Sequence, residues 1–428
     1  MPGPSSTGPR DVAAERRPTV EVLHERVAGL DVHRDTVAAC VRLPGRGQPE
    51  VHKHRFPTTT AGVAQLGDWL TGWAVTVVSM EATGVYWKPI YYGLEDRFEL
   101  WLCNAQHVKN VPGRKTDMSD AEWLADVVAH GMVRRSFVPP PEIRQLRELT
   151  RYRRTQIEAR IREFERLEKL LQDASIKVSS VASSVKTQSV RAMLEALIDG
   201  HRDPEMLAGL AKGKMRSKID ALAQALAGNF NAHHAVAARQ ILDHIDFLTA
   251  SITALDTEIA ARLRPHQAVV DLLGDIPGLG QRSIEVIVAE TGADMTRFPS
   301  AARLASWAGV CPANHESAGR RRHGGTPPGN RWLVTTLVEA ARAAARTKDS
   351  YFRAQYRQIA RRRGPNKAAV AVAHSLLVTI WHILTTGERY HDLGEDYFRS
   401  RIDPDRQRRR LVHQLQALGY TVTLQTAS

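Results

Sequence analysis

Val27-Ala-Gly-Leu-Asp-Val-His-Arg-Asp-Thr-Val-Ala-Ala-Cys-Val41 is an apolar, β-branched run punctuated by acids and a histidine. It predicts a strand over 27–43. A turn at 44–48 and a second extended run at 50–56 complete a predicted hairpin. Val63, Leu66 and Leu70 then recur at helical spacing within 60–73. Residues 74–80 are again β-branched and apolar and end in Glu81, 86–94 reads as a helix, and 98–103 as a short strand. Strands alternating with helices after a hairpin predict a mixed α/β sheet domain over 24–138.

Asp31 falls within the first predicted strand, with apolar residues on both sides. A carboxylate there is costly unless it is paired or bound to metal. Glu81 comes directly off the end of another strand. Downstream, Gly113-Arg-Lys-Thr-Asp-Met-Ser-Asp-Ala-Glu-Trp-Leu-Ala125 sets Asp117 and Asp120 three apart in a predicted helix that runs to about His130. That spacing puts both carboxylates on one helix face. Alone, the pair reads at least as well as an exposed first turn, where capping and the helix dipole favour aspartate. Taken with Asp31 and Glu81, it completes a set of four acids suited to two divalent cations. One cation would serve the attacking oxygen of a phosphodiester and one the leaving oxygen. Asp35 and Glu122 are assigned to the surface, and Arg114 and Lys115 to phosphate contact.

The net charge of +13 and a pI near 9.9 point to a polyanionic partner. Nucleic acid is favoured over a membrane, because the basic residues are dispersed over several segments. Composition, at 43% hydrophobic and 25% charged, is that of a soluble globular protein. Three widely spaced cysteines support neither a disulfide framework nor a zinc site, so a reducing cytoplasm is expected. Residues 1–23, rich in Pro, Ser and Gly at their start, are expected to be disordered and not a signal peptide. Residues 368–387 carry no Asp, Glu, Lys or Arg, and are expected to form a buried core helix and not a membrane span.

Pro139-Pro-Pro141 marks a boundary. Beyond it, 144–172 is a charged helical pattern with Ile157, Ile161, Phe164, Leu167 and Leu171 on one face. Ile241, Ile245, Leu248, Ile252, Leu255 and Ile259 form an a/d seam. A coiled-coil arm with a helical insert is expected over 139–268, its seam closing on its own chain or on a second copy. A helical domain is expected over 269–392, followed by a charged tail at 393–428. Asp275-Ile-Pro-Gly-Leu-Gly-Gln-Arg-Ser-Ile284 has the form of a helix-hairpin-helix turn, where Gly278 and Gly280 would let backbone N–H groups approach a phosphate. Helices near 300–309 and 330–346 bracket a polar loop containing Ser317. A loop serine is ordinarily inert and needs a base or a metal to become a nucleophile. Here Arg320, Arg321 and Arg322 follow it and would stabilise charge on a phosphoryl transition state. His315 and His323 are candidate bases, and Asn330 and Arg331 close the loop as further nucleic-acid contacts.

The chain resembles DEDD transposases of the insertion sequence 110 family. The resemblance is carried by Gly29-Leu-Asp-Val-His33, Glu81-Ala-Thr-Gly-Val-Tyr-Trp87, Gly113-Arg-Lys-Thr-Asp-Met-Ser-Asp-Ala121 and Arg144-Gln-Leu-Arg-Glu-Leu-Thr-Arg-Tyr-Arg153. In the C-terminal part it is carried by Ile276-Pro-Gly-Leu-Gly280, Trp307-Ala-Gly-Val-Cys-Pro312, Ser317-Ala-Gly319 and Gly329-Asn-Arg-Trp-Leu333. It implies a RuvC-like (RNase H-like) N-terminal domain with Asp31, Glu81, Asp117 and Asp120 as the DEDD acids holding Mg2+, with Mn2+ able to substitute. It also implies a coiled-coil middle and a C-terminal transposase domain whose nucleophile is Ser317. Such enzymes cut and exchange donor and target DNA through a phosphoserine intermediate, guided by a non-coding bridge RNA. A homo-oligomer is implied, a dimer or a tetramer during synapsis, in a bacterial-type cytoplasm at the nucleoid. Two other readings are a metal-only RuvC-like nuclease or Holliday junction resolvase, and a non-enzymatic nucleic-acid-binding protein.

Overall fold

The computed structural model describes residues 21–46, 48–112, 119–312, 315–317, 320–322, 325–326, 329–400 and 404–425. Two compact units divide between Val138 and Pro139.

The first unit is a five-stranded mixed sheet of order β3-β2-β1-β4-β5. Its strands are β1 (Val27–Val32), β2 (Thr36–Leu43), β3 (Glu50–Pro57), β4 (Val77–Glu81) and β5 (Glu99–Cys103). Helices α1 (Thr60–Gly72), α2 (Trp87–Leu94), α3 (Ala105–Asn110) and α4 (Asp120–Ala129) complete it. β1 pairs antiparallel with β2 and parallel with β4, and β4 pairs parallel with β5. This is the α/β domain that alternation predicted, but the strand expected over 27–43 is two. His33, Arg34 and Asp35 turn the chain, and the His33 amide donates to Thr36 O at 2.9 Å. Asp35 sits in that turn beside Arg34, exposed as expected. The break moves Asp31 from mid-strand to the penultimate position of β1, where its side chain is 32% exposed. Its burial cost is therefore smaller than the unbroken strand implied.

Successive strand residues alternate between sheet faces, and both faces are covered. Ala28, Leu30, Val78 and Met80 share a core with Val63, Leu66 and Leu70 of α1 and with Ile90 and Leu94 of α2. Val27 and Val77 share another with Trp123, Leu124, Val127 and Val128 of α4. α4 lies so close to β1 that a Cβ on Gly29 would stand 2.0 Å from Ala121 O and 2.7 Å from Ala125 N. Only a residue without a side chain permits that approach. Gly29→Ala is expected to push α4 outward at a cost of about 1–3 kcal/mol or more, measurable as a lowered urea midpoint at unchanged slope.

In the second unit, α5 (Pro141–Asp173) and α10 (Ala232–Leu263) form a long helix pair. Gln145 meets Arg262, Arg153 meets Asp256, Arg160 meets Thr249 and Asp173 meets His234, so the two run antiparallel and the seam closes on its own chain. Leu242, Ile245, Leu248, Ile252 and Ile259 are buried on α10. The buried line of α5 differs from the expected one. Thr150, Arg153 and Glu163 are buried, whereas Ile161 is 43% exposed. The charges are tolerated because Arg153 meets Asp256 and Glu285, and Glu163 meets His244 and Arg166.

Between these helices, α6 (Val178–Val181), α7 (Gln188–Ile198), α8 (Pro204–Gly209) and α9 (Ile219–Leu226) close a small core with Leu167, Leu171, Leu242 and Ile245. After α10 come α11 (Gln267–Gly274), α12 (Gln281–Thr291), α13 (Ala301–Ala308), the ribbon β6 (His315–Ser317) and β7 (Arg320–Arg322), then α14 (Arg331–Ala344), α15 (Tyr351–Arg363) and α16 (Pro365–Thr386). Short α17 (Tyr397–Ser400) and α18 (Pro404–Ala417) follow. α16 is long and apolar enough to cross a membrane. It packs against α11, α13, α14 and α15, burying Ala368, Val372, Leu376 and Ile380 as the central helix of this domain.

Burial pushes the Cys40 and Cys103 thiols up to about 12. Both are buried, whereas Cys311 is half-buried and its thiol is raised by burial too. A disulfide reagent at pH 8 is expected to titrate Cys311 first. Cys40 and Cys103 should react only on unfolding, because the protonated thiol is a poor nucleophile.

Candidate functional site

The two central parallel strands define one end of the sheet. Their register pairs Leu30 with Met80 as its last step, so Asp31 and Glu81 are the next residue on each strand. Alternation puts both on the face covered by α4, because 27, 29 and 31 share a side and 77, 79 and 81 share a side. Gly29, two residues before Asp31, touches the α4 backbone at Ala121, and Asp120 immediately precedes that residue. Three of the four expected acids thus lie at the same end of this unit, on the C-terminal ends of β1 and β4 and the N-terminus of α4. Strand ends supply two of them through chain direction, and the missing side chain at Gly29 supplies the third by letting the helix in.

The helix itself departs from expectation. It begins at Asp120, with Ser119 as N-cap accepting the Glu122 amide at 3.4 Å. The described helix thus carries Asp120 in its first turn. Asp117, Arg114 and Lys115 lie outside the described residues. Glu122 holds Lys53 at 2.5 Å, as a partly exposed ion pair. Sequence reasoning missed His33, whose Nε2 lies 3.1 Å from Asp31 Oδ2. Its place two residues after a strand-end acid was the available signal. Three carboxylates at one sheet end are the hard oxygen donors that a divalent cation of the Mg2+ class takes.

Among the described residues, Asp173, His233 and His234 stand close enough to share a cation, at the other end of the arm. His234 Nδ1 accepts the Asn231 amide at 3.0 Å, so its Nε2 carries the proton directed at Asp173 Oδ2, 3.0 Å away. Both ring nitrogens are occupied by capping, which leaves no lone pair for a metal.

Ser317 closes β6 and pairs in register with Arg320, while Glu316 pairs with Arg321 and His315 with Arg322. The serine thus stands at the turn end of a two-stranded ribbon, with its arginine run on the returning strand. His323 lies outside the described residues. The base of the loop is clamped. A Cβ on Gly329 would stand 2.2 Å from Ala308 O, so the chain re-enters the bundle against the end of α13. Asn330 caps α14, its Oδ1 accepting the Trp332 and Leu333 amides at 3.1 and 3.2 Å, and its Nδ2 donates to Glu290 Oε2 at 2.6 Å. This residue was expected to contact nucleic acid, but both ends of its amide are committed within the protein.

Gly278 also has an internal reason. At φ +87° it lies against α14, where a Cβ would meet Ala340 O at 2.4 Å. Gly280, the N-cap of α12, opens on free space. Arg331 lies over the Trp332 ring, 4.6 Å from its centroid. With Arg151, Arg154, Arg282 and Thr335 it lines a cleft of about 490 Å³.

A family model of DEDD transposases of the IS110 group matches residues 28–176, the segment holding Asp31, Glu81 and Asp120. A second model, of the transposase IS116/IS110/IS902 family, matches residues 270–357, which hold the Ser317 ribbon. Together they span more than half of the chain. The chain belongs to the IS110 family of transposases. Among similar proteins is the transposase for insertion sequence element IS1111A of Coxiella burnetii, 25% identical over 377 residues, which are 85% of this chain and 91% of that one. An IS900 insertion-element protein of Mycobacterium paratuberculosis is 27% identical over 330 residues, covering 68% of this chain and 80% of its own. The IS110 insertion-element protein of Streptomyces coelicolor is 34% identical over 140 residues, 32% of this chain and 34% of its own. In this IS110-family transposase the two matched segments are the two places where sequence alone located chemistry.

Proposed function

We propose that this transposase cuts and exchanges DNA strands with Ser317 as nucleophile and with Asp31, Glu81, Asp117 and Asp120 as its metal-binding acids. The observation that carries the reading is that Asp31 and Glu81 end adjacent parallel strands on the face covered by α4, whose first residue is Asp120. Carboxylate oxygens are the hard donors that a divalent cation takes. A divalent ion of the Mg2+ class, when bound, supplies Lewis-acid polarisation of a phosphodiester oxygen.

The remaining chemistry falls to the chain. Ser317 Oγ attacks phosphorus and gives up its proton, and the bond from phosphorus to the leaving sugar oxygen breaks. The leaving oxygen ends as a hydroxyl, and the DNA is held as a phosphoserine diester. Attack on that diester by a hydroxyl from a second DNA end reverses the step and joins a new pair, with the number of phosphodiester bonds conserved. We assign to Arg320, the register partner of Ser317, and to Arg321 and Arg322 after it, the role of offsetting charge on the phosphoryl oxygens. The positive charge of the chain suits both DNA and a structured bridge RNA. We assign the protein to the nucleoid as a homo-oligomer, since synapsis holds two DNAs at once.

The test is direct. Protein, RNA transcribed from the element's non-coding flank and end-labelled donor DNA are mixed with Mg2+, denatured, and digested with protease. A nucleotide retained on the peptide containing Ser317 is the expected result. Cleaved DNA carrying no protein would instead identify a metal-only nuclease.

A further inference from the structure

The side chain of Glu290, in the last turn of α12, has no exposure to solvent. A buried carboxylate is tolerated only with close, well-formed partners. Glu290 has three. Arg151 grips it bidentately, Nε to Oε1 at 2.7 Å and Nη2 to Oε2 at 2.8 Å. Arg147 approaches Oε2 at 3.3 Å and also donates to the Ala289 and Glu290 carbonyls at 3.1 and 2.7 Å. The third is Asn330 Nδ2. Two of these partners belong to the arm helix α5, and the third is the residue at which the serine loop ends. One buried group therefore joins the foot of the arm to the residue at which the loop carrying Ser317 ends.

α12 meets the arm a second time, through Glu285 and Arg153 at 2.5 Å. That pair is also buried, and its partners among the described residues lie outside the serine loop. The two contacts separate simple fastening of α12 from control of the loop.

We infer that Glu290 is a positioning residue: with Arg147, Arg151 and Asn330 it couples the arm to the serine ribbon and sets where Ser317 stands. The inference rests on the reading of Ser317 as nucleophile. Removing the charge while keeping the shape, as in Glu290→Gln, breaks the bidentate grip and loosens Asn330. Misplacement of a reacting group by about 1 Å costs up to roughly 100-fold in rate. The substitution adds and removes no surface charge, because Glu290 has no exposure, so the loss is expected to fall on the rate and not on binding.

The experiment compares Glu290→Gln and Glu285→Gln in the full-length protein. Glu290→Gln is expected to slow single-turnover adduct formation by about 10- to 100-fold with the DNA dissociation constant within about twofold. In DNA-free protein it should speed hydrogen exchange at the Trp332 and Leu333 amides, which Asn330 caps. Glu285→Gln should leave both readouts near wild type. An Arg151→Gln, Glu290→Gln double variant should be no slower than Glu290→Gln alone, because the two groups act as one unit. Should Glu290→Gln fail to fold, Arg151→Lys, which keeps charge and loses the fork, gives the same readouts. Equal losses in Glu285→Gln and Glu290→Gln, or unchanged exchange at Trp332 and Leu333 with adduct formation intact, would overturn the coupling and leave the serine reading standing. Accelerated exchange in a protein whose wild type forms no adduct would keep the coupling and remove the serine reading.

Discussion

Ser317→Ala is expected to lower strand cleavage by roughly three to six orders of magnitude, the range seen when a covalent nucleophile is removed. The protein–DNA adduct should vanish altogether. Binding of donor DNA should stay within about twofold, because phosphate contacts of a basic chain are made by its arginines and lysines. The loop is expected to keep its anchorage, since its end is held by Gly329 and Asn330 and not by the serine. Filter binding and denaturing gels on the same preparation separate the two effects. Full cleavage by the alanine variant would sink the serine reading.

Asp31→Asn combined with Glu81→Gln is expected to be almost as severe, with cleavage falling by at least about 100-fold, the scale attached to disrupted metal centres. Each change keeps shape and removes one negative charge. Without that pair the sheet end keeps Asp120 as the one described member of the acid set. Mn2+ affinity, followed by electron paramagnetic resonance without DNA, should weaken in parallel. Glu122→Gln is the control. Its carboxylate serves Lys53, so it should shift neither metal affinity nor cleavage appreciably. Equal Mn2+ affinity in wild type and the double variant would refute the assignment.

Much of this was legible from local pattern. Period-two alternation and β-branched runs marked the strands, and Glu81 at the end of one was readable as a strand-end acid. What failed was argument across a break. Asp31 read as mid-strand because nothing apolar was missing around it, although His33-Arg34-Asp35 is polar enough to turn the chain. The later helix was opened at Asp117, outside the described residues, and Ser119 caps the turn that begins at Asp120. On α5, Ile161 was placed on one apolar face with Leu167 and Leu171, yet it is exposed while Arg153 is buried. Partners more than a hundred residues away, Asp256 and Glu285, permit that burial of Arg153. Asn330 and Gly278 read as nucleic-acid contacts because loop polarity and glycine turns suit phosphate. The same chemistry served an internal cap and a tight helix approach. Glu290 was invisible for the same reason, since a lone acid in a helix gives no sign of three partners on other segments.

The arm's length has a mechanical consequence. α5 runs 33 residues, about 50 Å at 1.5 Å per residue. Arg147 and Arg151 lie within its first three turns, next to Glu290, while the helical insert sits at its other end. The arm is a lever with its short side at the serine loop. A tilt of roughly 10° about the foot sweeps the insert through about 9 Å on this geometry. Read in reverse, a displacement of that size at the tip, imposed by whatever the insert engages, reaches the Glu290 contacts reduced several-fold. It arrives there as a movement on the scale of a hydrogen bond.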